Sequence, residues 1–477
     1  MQSVPERLRA LLTGARRRLA DSRAWRVRAV LLVVLLLLLS PTVVSAATDQ
    51  GTRLGPGTVE RPADNTTYVS VQGFHFKGVG NAKKPARVVA ADGRANGREL
   101  ISGVDNDLPF EARWFYDADP LPDGNLLVTS TNPQGTVVFS YDPAAGEVAW
   151  YEQLPYHDTH DVDLIDGDQL LVANMRQYEN GVSNDRLLVY DRPSDEVVWE
   201  WTFHEHYPNS TDGGFRADWS HVNDVDKVDE GRYLASPRNF DQVILVNRST
   251  KEIEYRLGGD DDHDRLFEQH NPDFFIDEDG TPTILVADSE NDRVVEYEKR
   301  GDDWECTWTV GEGQFTWPRD ADRLPNGNTL VVDSMNHRVV EVTPQGEIVW
   351  EFYSPWAPYD VERIGTGPGS NGPTMADQNA TGEYDISGSA GLTPGTDGSA
   401  TFSTVLGNAF AGTPIEGQVR EFAAQWDRVT PWIKPVWMTG WDFVFAILAG
   451  LVLVGWTVGE LVYQRDRIRR RVGGLVG

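Results

Sequence analysis

The chain has 477 residues, of which 40% are hydrophobic and 10% aromatic, so most of it can bury a core and extended disorder is excluded. Its formal net charge of -30 excludes nucleic acid as an expected partner, because an acidic surface repels phosphate. A single cysteine, Cys306, excludes an internal disulfide and any multi-cysteine metal site.

The acidic residues are spread along the middle of the chain, and lysine is scarce beside arginine. This pattern is similar to proteins of salt-loving microbes, which stay soluble through carboxylate-rich surfaces. An ordinary acidic domain is the alternative interpretation.

The N-terminal region predicts a basic segment followed by an apolar span. Residues 1–28 are rich in arginine, whereas residues 29–48 are uncharged and rich in leucine. Twenty apolar residues suffice to cross a bilayer. We therefore predict a cytoplasmic N-terminus over residues 1–28 and a transmembrane helix or signal anchor over residues 29–48. The small residues Val44-Ser45-Ala46 leave a cleaved signal peptide as the alternative.

One pattern then recurs five times: a polar residue, an acidic alternation, a turn and a strand. The copies are separated by 44, 63, 47 and 49 residues, and they begin at Tyr116, His160, Asn223, His270 and Arg319. Four short strands in each ~40–50 residues are typical of a β-propeller. Further strands within residues 68–105, or a closing strand near residues 348–352, bring the blades to six. We predict an all-β, six-bladed β-propeller over residues 60–356.

The composition changes after Trp356. Residues 364–413 are rich in Gly, Ser and Thr and predict a linker, and residues 418–429 predict a short amphipathic helix. Residues 443–462 predict a second transmembrane helix, followed by a basic cytoplasmic tail over residues 463–477. The positive-inside rule applied to both spans makes membrane lipid a partner and places the propeller on the extracellular face of the cell membrane.

Two sets of repeat residues predict packing between blades. The tryptophans late in the copies are expected to pack blade against blade, and they are Trp150, Trp199, Trp201, Trp308 and Trp350. The acidic residues are interpreted as turn and inter-blade hydrogen-bond acceptors rather than metal ligands, and they are Asp161, Asp163, Asp224, Asp226, Asp320 and Asp322.

The first residues of the copies predict a functional funnel. The inner strand of each blade faces the central channel, so these positions converge on the axis at one end, with His221 two residues before Asn223. Three histidines with an arginine, a tyrosine and an amide predict a site for a bound anion. One histidine there is usually structural, but three at corresponding points favour function. The histidines off these positions are interpreted as surface or loop residues, with the first and fourth as candidates for the rim: His157, His204, His206, His263 and His337.

An ordered set of motifs over residues 105–355 resembles the arylsulfotransferase family, as a membrane-anchored, haloarchaeal-like member. The motifs are His160-Asp161-Val162-Asp163, Asp218-Trp219-Ser220-His221-Val222-Asn223, Ser236-Pro237-Arg238-Asn239, Leu257-Gly258-Gly259 and Gln269-His270. The resemblance implies a six-bladed propeller in which a histidine attacks the sulfur of a phenolic sulfate ester. The sulfuryl group then passes to a second phenol without a nucleotide cofactor.

The resemblance also assigns roles. It makes His270 the nucleophile and places His160, His221 and Arg238 in the catalytic shell that binds sulfate and handles protons. Asn223 is assigned to substrate binding, and the repeat itself adds Arg319 and Tyr116 as substrate-binding neighbours, with no metal. The family's well-known members carry an extra N-terminal domain and no C-terminal span, in contrast to this chain.

Two other functions stay open from the sequence. Residues 288–295 and 333–340 look like NHL-type repeats, which favours a non-enzymatic extracellular propeller for binding or scaffolding. Three histidines and a water also make a plausible zinc or iron site. Arg238 and Arg319 disfavour that metal enzyme, because fixed positive charge repels a divalent cation.

Overall fold

The computed structural model describes residues 22–48, 54–73, 84–103, 107–366, 369–388, 401–435 and 437–473. The chain divides into a larger unit, Leu54–Ala400 with Ala424–Trp432, and a smaller unit, Met1–Arg53 with Thr401–Ala423 and Ile433–Gly477. Most of the predicted basic N-terminal segment, residues 1–21, lies outside the described residues.

The larger unit is a six-bladed β-propeller, as the sequence predicts, and each blade is an antiparallel sheet of four strands. The first blade contains β2 (Thr67–Val71), β3 (Arg87–Ala91) and β4 (Gly97–Ser102), and the second contains β5 (Trp114–Pro120), β6 (Leu126–Asn132), β7 (Gly135–Asp142) and β8 (Glu147–Leu154). The third contains β9 (Val162–Ile165), β10 (Gln169–Asn174), β13 (Arg186–Asp191) and β14 (Glu196–Thr202), with a side hairpin of β11 (Tyr178–Glu179) and β12 (Val182–Ser183).

The remaining blades repeat the same order. The fourth contains β15 (Val222–Asp229), β16 (Arg232–Pro237), β17 (Gln242–Asn247) and β18 (Ile253–Gly258), and the fifth contains β19 (His270–Ile276), β20 (Pro282–Asp288), β21 (Arg293–Arg300) and β22 (Asp303–Val310). The sixth contains β23 (Pro318–Arg323), β24 (Thr329–Asp333), β25 (Arg338–Val342) and β26 (Ile348–Tyr353). Two strands add to outer edges: β1 (Gly55–Val59) on β26, and β28 (Gly382–Tyr384) on β22.

The first blade is built from both ends of the propeller sequence. Its inner strand, β27 (Pro358–Arg363), follows the sixth blade and pairs with β2, with Thr67 opposite Arg363 and Val69 opposite Val361. The strand near residues 348–352, which the sequence suggested as a closing strand, is an outer strand of the sixth blade and does not close the propeller ring. The propeller therefore extends past residue 356, and β28 lies within the predicted linker, because these late segments complete sheets begun earlier in the chain.

Burial explains the difference between inner and outer strands in the sequence. Every residue of β24 is buried, since neighbouring blades cover both faces of a middle strand, and its sequence is nearly continuous in apolar residues. Along β8, on the outer edge of its blade, exposed and half-buried side chains alternate. This is the period of two expected for a strand that is covered on one face.

Tryptophans on the outer strands join neighbouring blades. The indole of Trp201 donates to the Lys251 carbonyl at 2.9 Å, and the indole of Trp308 donates to the Pro344 carbonyl at 2.9 Å. Each acceptor lies in the turn between the last two strands of the next blade. Trp350 makes the corresponding bond to the first blade, so the prediction of blade-to-blade packing is confirmed for these residues.

The acidic residues of the inner strands also join blades. Asp161 accepts a hydrogen bond from the Val225 amide at 2.6 Å, and Asp320 accepts one from the Val361 amide at 2.8 Å. Both bonds cross from one inner strand to the next. The interpretation as inter-blade acceptors is confirmed for these two aspartates.

The smaller unit contains two long apolar helices, α1 (Arg23–Thr48) and α5 (Gly440–Gly473), with the short helix α3 (Phe402–Ala409). The spans Arg23–Thr48 and Gly440–Arg465 are long and apolar enough to cross a membrane. The guanidinium of Arg28 donates two 2.6 Å bonds to Glu460, and Ser45 donates to Asp442 at 2.6 Å. The helices are therefore antiparallel.

Two further helices are described. The single turn α2 (Phe203–His206) follows the outer strand of the third blade. Helix α4 (Glu416–Ile433) contains the predicted amphipathic segment, and its residues 424–432 belong to the larger unit.

Candidate active site

The inner strands begin around one cavity of about 690 Å³. Six of the seven predicted site residues line it: Tyr116, His160, His221, Arg238, His270 and Arg319. The repeat positions Tyr116, His160, His270 and Arg319 therefore lie together, with His221 beside them and with Arg238, which only the family resemblance had indicated. The volume falls within the range of pockets that hold small organic molecules.

His270 is the first residue of β19, and two contacts of its Nδ1 fix the orientation of the ring. Its Nδ1 lies 2.8 Å from the Ser289 hydroxyl and 3.1 Å from the Glu268 carbonyl. Ser289 donates its only hydroxyl hydrogen to a carbonyl, with Pro318 nearest at 2.6 Å, so Ser289 accepts from Nδ1. Both partners of Nδ1 are acceptors, which places the proton there and leaves the Nε2 lone pair unprotonated.

His160 has the opposite tautomer. Its Nδ1 lies 2.8 Å from the Tyr359 hydroxyl, and its Nε2 faces a carboxylate, which can only accept. We therefore infer that the ring proton is on Nε2 and that Tyr359 donates to Nδ1. Nε2 lies 3.8 Å from the Asp158 carboxylate. Tyr116 packs against the His160 ring with centroids 4.0 Å apart and donates to the same carboxylate at 3.0 Å. His160 therefore presents an N–H where His270 presents a lone pair.

His221 lies between a carboxylate and a guanidinium group. Its Nδ1 donates to the Asp218 carboxylate at 2.9 Å, and its Nε2 accepts from the Arg238 guanidinium at 3.3 Å. Arg238 also forms a 2.6 Å ion pair with Glu268, the residue whose carbonyl orients His270. Arg238 thereby connects two of the three histidines.

Arg319 supplies a second buried cation. Its guanidinium donates to Gln72 at 2.7 Å and lies over the rings of Trp317 and Tyr359, 4.1 and 4.6 Å from their centroids. Aromatic faces stabilise a cation without neutralising it. The site therefore keeps a positive charge next to the histidines.

The electrostatics of the site favour neutral histidines. Burial, followed by the charges of Arg319 and Arg238, holds the pKa of His270 well below its usual value. Burial also lowers the pKa of His160, and burial together with Arg238 lowers the pKa of His221 to about 4. Neutral imidazoles beside two guanidinium groups form a site that prefers a bound anion.

Asn223 lies apart from the other predicted residues. It is fully buried, it does not line the large cavity, and its amide donates to the Gln269 carbonyl at 2.9 Å. Gln269 in turn donates to Ser236 at 3.0 Å and to the Gln242 carbonyl at 2.6 Å. In this geometry Asn223 supports the strand that carries His270.

Three residues of the site were not predicted from the sequence. Tyr359 on β27 begins a sixth copy, Tyr359-Asp360-Val361-Glu362, which the acidic alternation could have revealed. Asp158 and Arg176 lie on loops and form a 2.8 Å ion pair beside His160, and nothing in their spacing signals this position.

The structure also gives the burial of two histidines that lie outside the repeat positions. His337, interpreted as a surface or loop residue, is fully buried at the end of a short turn, and its Nε2 contacts the Arg428 carbonyl at 3.1 Å. His157 is exposed and does not line the cavity.

The segment 424–432 of α4 forms part of the cavity wall. The indole of Trp356 donates to the Pro431 carbonyl at 2.8 Å, and Trp432 packs against His337 with centroids 5.1 Å apart. Trp432 itself lines the cavity. A helix that the sequence predicts only as a short amphipathic segment thus contributes Trp432 to the site.

Comparison with known proteins gives one family. Residues 111–319 match the arylsulfotransferase (ASST) family model. The match contains all seven predicted site residues and ends at Arg319, whereas Tyr359 and Trp432 lie beyond it. No curated protein matches the chain.

Several solved structures align with this chain at low sequence identity. A protein of unknown function from Bacteroides caccae is 12% identical, with 64% of this chain and 100% of that chain covered and a TM-score of 0.43. Virginiamycin B lyase from Staphylococcus aureus is 11% identical, with 54% and 73% covered and a TM-score of 0.33. Hydrazine synthase from Kuenenia stuttgartiensis is 13% identical, with 54% and 70% covered and a TM-score of 0.34.

Proposed function

We propose that the protein moves a sulfuryl group from a phenolic sulfate ester to a phenol through a sulfohistidine at His270, without a nucleotide cofactor. The observation that carries the proposal is the contact of His270 Nδ1 with two acceptors, from which we infer that Nε2 holds the attacking lone pair. The cavity around it is lined by Arg176, Arg238 and Arg319. The arylsulfotransferase match supports the same chemistry.

In the first half-reaction, Nε2 of His270 attacks sulfur and forms an S–N bond as the S–O bond to the phenol breaks. Arg238 and Arg319 lie on the cavity wall and stabilise the negative charge on the sulfate oxygens. The leaving phenolate takes the Nε2 proton of His160 while Tyr359 donates its hydroxyl proton to Nδ1. This leaves Tyr359 as a phenolate, which the Arg319 guanidinium, 4.6 Å from its ring centroid, stabilises.

In the second half-reaction, the hydroxyl of the acceptor phenol returns a proton to His160 as its oxygen attacks sulfur. The S–N bond breaks, His270 is regenerated, and the proton on His160 Nδ1 returns to Tyr359. Acid and base are thus one residue used in both directions, and no proton is gained or lost in a full cycle.

The cavity wall suits an aryl group. Aromatic side chains surround the charged groups, and they are Trp114, Tyr116, Trp317, Tyr359 and Trp432. Such rings bind an aryl plane by stacking, while the guanidinium groups take the sulfate. This division explains how one cavity binds both the donor ester and the acceptor phenol.

For the location of the site we keep the sequence hypothesis as a proposal: the propeller lies on the extracellular face. The antiparallel pairing of α1 and α5 supports it, because it places the start of α1 and the C-terminal half of α5 at the same end of the helix pair. The carboxylate-rich surface likewise supports life in high salt, which we propose for the organism.

The test uses the full chain in detergent and high salt, with p-nitrophenyl sulfate as donor and phenol as acceptor. We expect acceptor-dependent nitrophenolate release that falls by at least ~10³-fold in His270→Ala, because the nucleophile is gone. Intact-mass measurement without acceptor should show one added sulfuryl group in the native chain only.

The matched control is His263→Ala, which removes an exposed histidine and should leave the rate unchanged. No release from a chain whose circular dichroism shows a folded propeller would contradict the proposal and favour the NHL-like binding module.

A further inference from the structure

A second cavity of about 40 Å³ lies along the propeller axis next to the large one and shares Tyr116, His160 and Tyr359 with it. We call it the axial chamber. Carboxylates dominate its wall, and they are Asp117, Asp119, Asp161, Asp163, Asp224, Asp226, Asp273, Asp320, Asp322, Asp360 and Glu362. No lysine or arginine is among its lining residues.

The inter-blade bonds of these carboxylates follow a rule. In three blades, the first acidic residue of the inner strand accepts from the amide that follows the corresponding position in the next blade. Asp161 accepts from Val225 in this way, and Asp360 accepts from Ala118 at 3.1 Å. Each such bond satisfies one oxygen of a buried carboxylate.

The corresponding bond cannot form at Asp224 because of a proline. The residue that should donate to Asp224 is Pro272, at the start of the fifth blade, and proline has no amide hydrogen. Asp224 is only 6% exposed, and its Oδ2 has no hydrogen-bond partner. An ionised oxygen in this state is strongly destabilising unless something else compensates it.

Further unpartnered oxygens line the same chamber. The Oδ1 of Asn223, which is 0% exposed, has no partner, and neither do the Oδ2 of Asp322 and the Oε2 of Glu362. The Oδ1 of Asn271 is a fifth. When the carboxyl groups are ionised, all five atoms are acceptors, from amides as well as carboxylates, and they cannot satisfy one another.

The nearest positive charges are used elsewhere. Arg323 directs its guanidinium to Glu296 at 2.9 Å, and Lys227 forms a salt bridge with Glu230 at 2.9 Å. Eleven acidic side chains line the chamber with no lysine or arginine among them, so their mutual repulsion opposes ionisation. A positive charge inside the chamber would remove this penalty.

We propose that the axial chamber binds one hard divalent cation, calcium being favoured, through the unpartnered oxygens of Asn223, Asp224 and Asp322 together with water. Calcium accepts six to eight oxygens from carboxylates, amides and water in flexible geometry. A cavity of about 40 Å³ has room for about three water molecules, which fits a partly hydrated ion.

Within the described residues, no group of three His, Cys, Asp or Glu side chains is placed to hold a metal directly. Amide oxygens and water therefore complete the ligand set, which calcium tolerates better than zinc does. The ion stabilises the ring of inner strands and takes no part in the proposed sulfuryl transfer.

The experiment measures thermal unfolding of the full chain in detergent after chelator treatment, at constant ionic strength. Addition of calcium to about 100-fold above its dissociation constant should raise the unfolding midpoint by about 4 °C, because the ion binds only the folded state. Sodium at the same ionic strength should not. A larger rise with magnesium would assign the chamber to the smaller hard cation.

The double variant Asp224→Asn/Asp322→Asn keeps the side-chain shapes and should lose the calcium response while staying at least as stable in chelator. Asp279→Asn/Asp302→Asn changes the charge equally on the exposed surface and should keep the response. A double chamber variant that still responds would overturn the proposal.

Equilibrium dialysis of the native chain against radioactive calcium does not depend on any variant folding. We expect one ion per chain with saturation, and no saturable ion would overturn the proposal. Sulfuryl transfer is assayed separately, so its failure leaves this result intact.

Discussion

The hydroxyl of Ser289 has an effect larger than its size suggests. By passing its hydrogen to the Pro318 carbonyl, it accepts from His270 and sets which ring nitrogen carries the proton. Tyr359 sets the opposite tautomer on His160 by donating to it. Two identical side chains thus acquire different chemical roles from one neighbouring hydroxyl each.

The pH dependence of the proposed reaction tests this electrostatic arrangement. Burial and the Arg319 charge lower the pKa of His270, so the neutral nucleophile should persist at pH values where a free imidazole is protonated. Arg319→Gln removes a charge that opposes protonation, so the pKa of His270 rises. We expect the acid limb of the kcat/KM profile to move up by about one pH unit.

The control for this profile is Arg232→Gln, which removes an arginine that pairs with Asp229 on the surface. Its acid limb should coincide with that of the native chain. An Arg319→Gln limb that stays in place would mean that burial alone sets the pKa of His270.

Helix α4 shows how an element can serve a site that its sequence does not indicate. Its last turn places Trp432 on the cavity wall, anchored by the bond from Trp356 to the Pro431 carbonyl. From the sequence this segment is only amphipathic. Its docking on the propeller depends on contacts with residues about 75 positions earlier, which periodicity cannot show.

Trp432→Ala should therefore change substrate choice more than catalysis. Loss of the indole enlarges the cavity, so we expect KM for phenol to rise about tenfold and the preference for bulkier acceptors such as naphthol to increase. Steady-state kinetics with both acceptors measure this. Val429→Ala, on an exposed position of the same helix, should change neither value. Equal kinetics for the two variants would mean that Trp432 does not contact the acceptor.

At the level of strands, the sequence predicts site residues that occupy repeat positions but not those that lie on loops. The five copies identify five inner strands and four residues of the cavity, because equivalent positions of a propeller converge on its axis. His221 lies two residues before one copy, and Arg238 came only from the family resemblance. The copy at Tyr359 was missed since Glu362 replaces the final aspartate and the strand completes the first blade. Asp158 and Arg176 could not be predicted, because their loops take shape only in the assembled ring.

At the scale of the whole molecule, the propeller is closed by hydrogen bonds between β2 and β27 rather than by a covalent link. The same closure inserts Tyr359 between His160 and Arg319. Ring integrity and the site therefore depend on one strand.

Val361→Ala tests this dependence. Val361 is fully buried in β27, and its truncation should lower the free energy of unfolding by about 2 kcal/mol and the unfolding midpoint by several degrees. Calorimetry of the full chain measures the shift. Val198→Ala, on an exposed outer-strand position, should change stability by less than about 0.5 kcal/mol, and equal effects would show that closure is not a sensitive point.

The closing strand also orders events during synthesis. Thr67 and Arg363, which bond across the closure, are 296 positions apart, so the first blade waits for its inner strand until nearly the whole propeller has been made. Bringing such distant segments together costs about 3 kcal/mol more entropy than closing a ten-residue loop. The nascent chain thus carries an incomplete blade with an open edge on β2. That edge can be paired only after β27, which carries Tyr359, has been synthesised.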